Sequence, residues 1–293
     1  MAKLAGRSLL SFATYAVLAT VIAVQLIRFR PLNELIGLKD DEEQHRFLVA
    51  KPEHRTSAQT CPVKDIAADV NKKNFKSQSG EDKLLLTWFN GLCNGTYIEM
   101  GALNGIQYSN SYFFHKELGW KGVLVELTPK DFESLKRNRP NDVTVHAAVC
   151  DKRQTVHYVT GARVGGAIDG IWEFMAPSFR EKWWKGVTLD SDQVTAIECI
   201  PMKEVLEQSG YQYFDFYSLD VEGAEYEVLQ SVDFDRFGFG IMMVEADKHN
   251  PIKNLALRMF IQSKGYTFLM ERGRSYWFVN DNFAEIYHER LHP

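Results

Sequence analysis

TYIEMGALNG (Thr96–Gly105) and GVLVEL (Gly122–Leu127) decide the reading of this chain. Each is a short apolar run. The first breaks into a glycine-rich turn, and the second stops at an acid. A buried strand that runs into glycines is one whose backbone must turn sharply at the edge of a sheet. Further strands are expected at Val143–Cys150, Phe214–Asp220 and Ile241–Ala246. Helices are expected around Ser109–Leu118, Lys130–Asn138, Ala224–Ser231 and Asn254–Lys264. Strand and helix alternate, so the fold class is α/β, with a mostly parallel sheet covered on both faces. Tyr266–Glu271 and Ser275–Asn280 flank Gly273-Arg274 and read as a closing antiparallel hairpin.

The first turn has the form E-x-G-A-x-x-G, from Glu99 to Gly105. Glycine here lets backbone lie against a ligand with no Cβ between them. Glu99 can accept a hydrogen bond from a cationic amino group, a preference that a pyrophosphate ligand would not satisfy. One strand later, Glu126 stands where an acid can grip both hydroxyls of a ribose. A glycine turn alone is also an ordinary tight connection, and it is the pairing with Glu126 that points to a ligand. Asp220-Val221-Glu222-Gly223 ends another strand at the same carboxyl edge. Glu222 and Glu225 suit the start of the following helix. Together with Glu245 and Asp247 these acids would also suit a hard divalent cation. Strand-end acids are commonly solvated, and no metal is expected. His249, on the same rim, is the histidine placed to act as a general base, or is simply a loop residue.

Four segments together carry a resemblance: SQSGEDKLLLTWF (Ser77–Phe89), YIEMGALNGIQYSNS, ELGWKGVLVEL and YSLDVEGAEYEVLQ. From Asn74 onward the chain resembles the FkbM family of methyltransferases. The resemblance implies a Rossmann-like methyltransferase fold, S-adenosylmethionine as methyl donor, and transfer to a hydroxyl of a small molecule, lipid or glycan. By matching position it implies that Glu99, Gly101, Ala102 and Gly105 line the methionine part of the cofactor. Ser109 and Asn110 would open the next helix, Glu126 would hold the ribose, and Ala147 and Ala148 would flank adenine. Asp220 would order the acceptor or face the sulfonium. Asn104 stands where the family often has Asp, and Leu127-Thr128-Pro129 replaces its commoner E-P-x-P or E-A-x-P.

Residues 8–27, SLLSFATYAVLATVIAVQLI, carry no charge over the length needed to cross a bilayer core. Basic residues flank them on both sides, so orientation stays open. We read residues 1–30 as a membrane anchor, against a cleaved signal peptide or a soluble helix. Residues 31–73 read as a polar stem, and 74–293 as the folded domain. The expected location is a single-pass protein of the endoplasmic reticulum or Golgi, with plasma membrane or endosome as alternatives. An anchor followed by such a domain is also similar to the family of the insect membrane protein Star, which implies escort of membrane-protein cargo.

The formal net charge is −4, while Lys3, Arg7, Arg28 and Arg30 make the first thirty residues positive. The remainder is therefore acidic, which excludes a broad phosphate-binding face and nucleic acid as substrate. Cys61, Cys93, Cys150 and Cys199 lack zinc spacing. In a domain this large they are expected to be buried free thiols, with disulfides as the lumenal alternative. The aromatic insertion Gly161–Asp190, with Trp172, Phe174, Phe179, Trp183 and Trp184, reads as a satellite cluster or a lid. The anchor makes a direct prediction. Full-length protein should stay with membranes after alkaline carbonate extraction, and release into the supernatant would reject it.

Overall fold

The computed structural model describes residues 71–89, 91–161, 166–246 and 248–291. The apolar segment 8–27 lies outside them. Among the described residues no helix is long and apolar enough to cross a membrane.

The main sheet has seven strands: β1 (Thr96–Met100), β2 (Lys121–Glu126), β3 (Val143–His146), β8 (Tyr213–Leu219), β9 (Gly238–Glu245), β10 (Tyr266–Arg272) and β11 (Ser275–Asn280). Their spatial order is β10-β11-β9-β8-β1-β2-β3. β3, β2, β1, β8 and β9 run parallel. The β10–β11 hairpin adds antiparallel to β9. The order reverses between β1 and β8, and a crevice opens at such a switch point outside the carboxyl ends of the strands.

Burial explains why these strands form. β1 and β8 are buried at every residue, as parallel strands covered on both faces must be. Ile98, Met100, Tyr217 and Leu219 pack into one core, Tyr97 and Phe216 into the other. Helices α1 (Glu81–Phe89), α2 (Tyr112–Leu118), α3 (Pro129–Asn138), α5 (Met202–Ser209), α6 (Glu225–Gln230), α7 (Pro251–Gln262) and α8 (Phe283–Leu291) surround the sheet. α3 and α7 start with Pro at the first turn, where its missing N–H costs nothing. α2 ends at Gly119, whose φ of 68° is the left-handed stop.

The expected strand Val143–Cys150 is two strands. β3 ends at His146, and β4 (Ala148–Cys150) joins a second sheet of order β4-β7-β5-β6. That sheet contains β5 (Gln154–Val159), β6 (Gly170–Ile171) and β7 (Val194–Pro201). An apolar run reads the same on either side of such a break, although β3 is only partly buried and β4 fully so. The aromatic insertion, with α4 (Pro177–Trp183), packs as a satellite core. Phe179 and Trp184 are buried there, with Trp172 and Trp183 against them.

The cysteines correct the expectation of free thiols. Cys150 of β4 is bonded to Cys199 of β7, Cys93 is also in a disulfide, and no described cysteine is free. The free-thiol reading assumed one core large enough to stand alone. β4 instead pairs with β7 over only three residues, and the crosslink fastens that short parallel ladder. The bridge closes a loop of 49 residues, so chain-entropy arithmetic makes it worth about 4 kcal/mol. Non-reducing peptide mapping should recover the Cys150–Cys199 pair, and Cys199→Ala should lower the melting temperature. Two free thiols in protein blocked before lysis would contradict this.

Candidate functional site

A cleft of about 200 Å³ lies at the carboxyl ends of β1, β2 and β8. Its floor is set by Gly101. With φ at +80°, this residue's backbone lies so close to the next strand that an added Cβ would fall 1.9 Å from the Asp220 carbonyl oxygen. The Gly101 N–H donates to the Val125 carbonyl and the Asp220 N–H to that of Met100, so three strand ends are tied at one point.

Glu99 is buried beside this floor. Its Oε1 accepts from the Asn110 N–H at 2.6 Å, and its Oε2 from the hydroxyls of Ser109 at 2.8 Å and Ser111 at 2.5 Å. The carboxylate therefore gathers the start of α2 and is largely spent on it. Asn110 then faces the cleft. Its Nδ2 donates to Ser218 Oγ at 2.8 Å, while its buried Oδ1 has no hydrogen-bond partner. An orphaned buried acceptor is costly, and one carried by a cleft-lining residue suits a ligand donor.

Glu126 ends β2 at 4 % exposure. Its two oxygens accept from the backbone N–H groups of Leu103 at 2.7 Å and Thr128 at 2.6 Å, leaving lone pairs for a ligand. Burial raises its pKa above the usual carboxylate value, against the lowering effect of those two N–H groups. The residues that depart from the family's common pattern serve this frame. Asn104 Oδ1 accepts from Ile106 and Gln107, closing the turn. Thr128 holds Glu126 and touches the Tyr158 hydroxyl, and Pro129 starts α3.

Of the residues singled out from sequence, Glu99, Gly101, Asn110, Glu126, Ala148 and Asp220 line the cleft, as does Ala147. Ala102, Gly105 and Ser109 do not. Ala102 is in the core, a Cβ on Gly105 would meet Leu135 and Arg139, and Ser109 is bound to Glu99. His249 is also outside. Its Nδ1 is 3.0 Å from Ser178 Oγ and its ring stands edge-on to Phe179, so it belongs with the insertion. Sequence reasoning missed Gln78, Ser218, Arg274 and the segment 167–171, all of which line the cleft. Gln78 lay in a quoted motif, and Arg274 in the hairpin turn, but neither had a spacing that gave it a role.

Gly101→Ala combines a disfavoured φ with a backbone overlap, so it should destabilise the fold by several kcal/mol, of order 3 or more. A melting temperature within a few degrees of wild type would contradict the close approach.

Comparison with known proteins follows this geometry. No curated protein sequence matches the chain. Solved structures align over much of it at low identity. Fibrillarin of Aeropyrum pernix, solved with S-adenosyl-L-methionine, is 12 % identical, with 64 % of this chain and 66 % of that one covered and a TM-score of 0.35. An O-methyltransferase of Bacillus cereus, in complex with SAH, is 15 % identical over 74 % of this chain and 87 % of that one, with a TM-score of 0.36. A TehB-like methyltransferase of Corynebacterium glutamicum gives 11 %, 74 %, 92 % and 0.36. The family profile is the decisive match, because it spans more than half the chain, residues 99–268, from the buried acid of β1 to the hairpin. The chain belongs to the methyltransferase FkbM domain family.

Proposed function

We propose that the cleft holds S-adenosylmethionine and that the protein methylates a hydroxyl of a small molecule, lipid or glycan presented at a membrane. Family membership makes the chain an S-adenosylmethionine-dependent methyltransferase. The observation that carries this reading is the pair of unspent acceptors on residues that line the cleft, Asn110 Oδ1 and the free lone pairs of Glu126.

The residues present fit that cofactor. Glu126 would accept from the two ribose hydroxyls, and Asn110 Oδ1 from the ammonium of the methionine part. Glu99 would hold Asn110 in place rather than bind the ammonium itself. Ala147 and Ala148 leave room for a flat base, and Gly101 lets backbone approach. When bound, the cofactor supplies a methyl group on a sulfonium sulfur. The chain aligns the acceptor, excludes water and places negative charge at the rim through Asp220, and alignment of this kind supplies much of the rate.

The disulfides support a domain on the lumenal side of secretory membranes, since such bonds persist in oxidising compartments. Residues 8–27 would then be the tether. S-adenosylmethionine is made in the cytosol, so a lumenal domain requires an imported supply.

Glu126→Ala should weaken cofactor binding by tens-fold or more in a calorimetric titration of the full-length protein, because two charge-assisted hydrogen bonds are lost. Affinity should also fall as pH drops through the raised Glu126 pKa, since the ionised form is the better acceptor. The same group binds its proton more tightly folded than unfolded. It therefore disfavours folding above its unfolded pKa, and this penalty fades as pH falls. Asp220→Asn should depress turnover more than binding. Normal binding by Glu126→Ala would refute the ribose assignment. Cofactor binding with no methylation of any membrane-lysate acceptor, together with capture of membrane-protein cargo, would favour an escort role instead.

A further inference from the structure

At the open end of the cleft, outside the cofactor contacts just described, β8 and β9 deliver three carboxylates to one place. Asp220 follows β8, Glu222 sits in the loop after it, and Glu245 ends β9. One oxygen from each lies within 4.8 Å of the others. Oxygens that share a hard cation at about 2.0–2.6 Å stand no more than roughly 4–5 Å apart, so the three match the ligand shell of one ion. Glu222 adopts φ of 56°, a left-handed backbone, and its side chain is buried rather than solvated.

Glu245 gives an independent indication that something is bound here. Its side chain is only 2 % exposed, and its Oε1 is buried without a hydrogen-bond partner. A carboxylate shut away from water normally finds a cation and hydrogen bonds, or stays protonated. The nearest recorded cation is Arg274. It reaches Glu245 at 3.4 Å and Asp220 at 3.5 Å, longer than the roughly 2.7–2.9 Å of a charge-assisted hydrogen bond, from a side chain half exposed to solvent. Lys253, a further basic group among the described residues, is committed to Glu227 and to the Gly223 carbonyl. Glu225 is not part of the set, because its Oε1 accepts from the Val221 and Gly223 N–H groups.

We propose that Asp220, Glu222 and Glu245 bind one divalent cation of the hard, oxygen-preferring class, Mg²⁺, Mn²⁺ or Ca²⁺. An all-carboxylate donor set with no Cys or His selects that class over zinc. Asp220 and Glu222 line the cleft while Glu245 lies behind them. Glu222 and Glu245 also line a smaller neighbouring pocket, so an ion held by all three would sit at the edge of the cleft, and one that kept open positions towards it would favour acceptors offering two neighbouring oxygens. Cation binding stands without the cofactor assignment, and only its use on the acceptor rests on that reading.

Full-length protein in detergent, stripped with a chelator, would be titrated with Mn²⁺ alone while free Mn²⁺ is followed by electron paramagnetic resonance. Wild type should bind one ion per chain at or below millimolar concentration, with Mg²⁺ or Ca²⁺ competing. Glu245→Gln and Asp220→Asn should each weaken binding at least tenfold. Arg274→Met, which removes a competing positive charge, should tighten it. If Glu245→Gln misfolds by circular dichroism, Asp220→Asn decides, because its side chain is 45 % exposed. Absence of saturable Mn²⁺ binding by wild type would overturn the site. So would undiminished binding in Asp220→Asn, or weaker binding in Arg274→Met. A separate titration with S-adenosylmethionine keeps the two readings apart, since loss of cofactor binding with Mn²⁺ binding intact removes the methyl-transfer assignment alone.

Discussion

A carboxylate at the end of a fully buried strand has to be satisfied by its own chain, and the cleft is built around that requirement. Glu99 cannot reach water from β1, so the loop after β1 returns and gives it the Ser109 and Ser111 hydroxyls and the Asn110 N–H. The network continues through Ser111 to Arg139, which is fully buried. Arg139 also donates to the Gly105 carbonyl, to Asp142 and to the Tyr97 hydroxyl. A buried guanidinium with this many partners fixes the loop more firmly than apolar contact would, because breaking any one of them leaves a charge under-solvated. Asn110 and Glu126 can stand with unspent acceptors because the backbone that carries them is fastened elsewhere.

The same accounting explains which parts of the site were legible from sequence. The strands β1 and β2, the glycine turn and Glu126 were readable because one physical demand, a ligand lying against backbone at a sheet edge, fixes both residue type and spacing. Ala102, Gly105 and Ser109, which were read with the same turn, do not line the cleft. Residues beside a glycine turn serve the turn as often as the ligand, and only packing distinguishes them. Gly105 is needed for contact with Leu135 and Arg139, partners from α3 that no local pattern announces. His249 looked close to the chemistry because it follows β9, but its ring is held by Ser178 and Phe179 of the insertion.

The break at Ala147 was illegible for a related reason. An apolar run carries no mark of which sheet it joins, and β3 and β4 belong to different sheets. The second sheet has a functional consequence. β4 supplies Ala148 to the cleft, and the loop carrying residues 167–171 comes from the same insertion, so one wall of the site depends on a layer outside the main sheet. Within that layer, β4 is held to β7 by a three-residue ladder and a disulfide. A crosslink of this kind persists in oxidising compartments.

The two groups of acids in the cleft show opposite solutions to burial. Glu126 is desolvated and has a raised pKa, yet each of its oxygens already accepts from a backbone N–H, so its charge is supported before any ligand arrives. Glu245 is desolvated to a similar degree, but its Oε1 accepts from no donor and its neighbours are two further acids. The first arrangement is preorganised to receive hydroxyl donors. The second is stable only if protonated, or if positive charge comes to it, and Arg274 reaches it at distances too long to meet that need. The Glu126 carboxylate is thus supported by close donors, and Glu245 Oε1 is not. On the proposed reading this asymmetry suits methyl transfer, because the end that binds the cofactor would be complete before the reaction, whereas the end that admits the acceptor would still have something to gain from it.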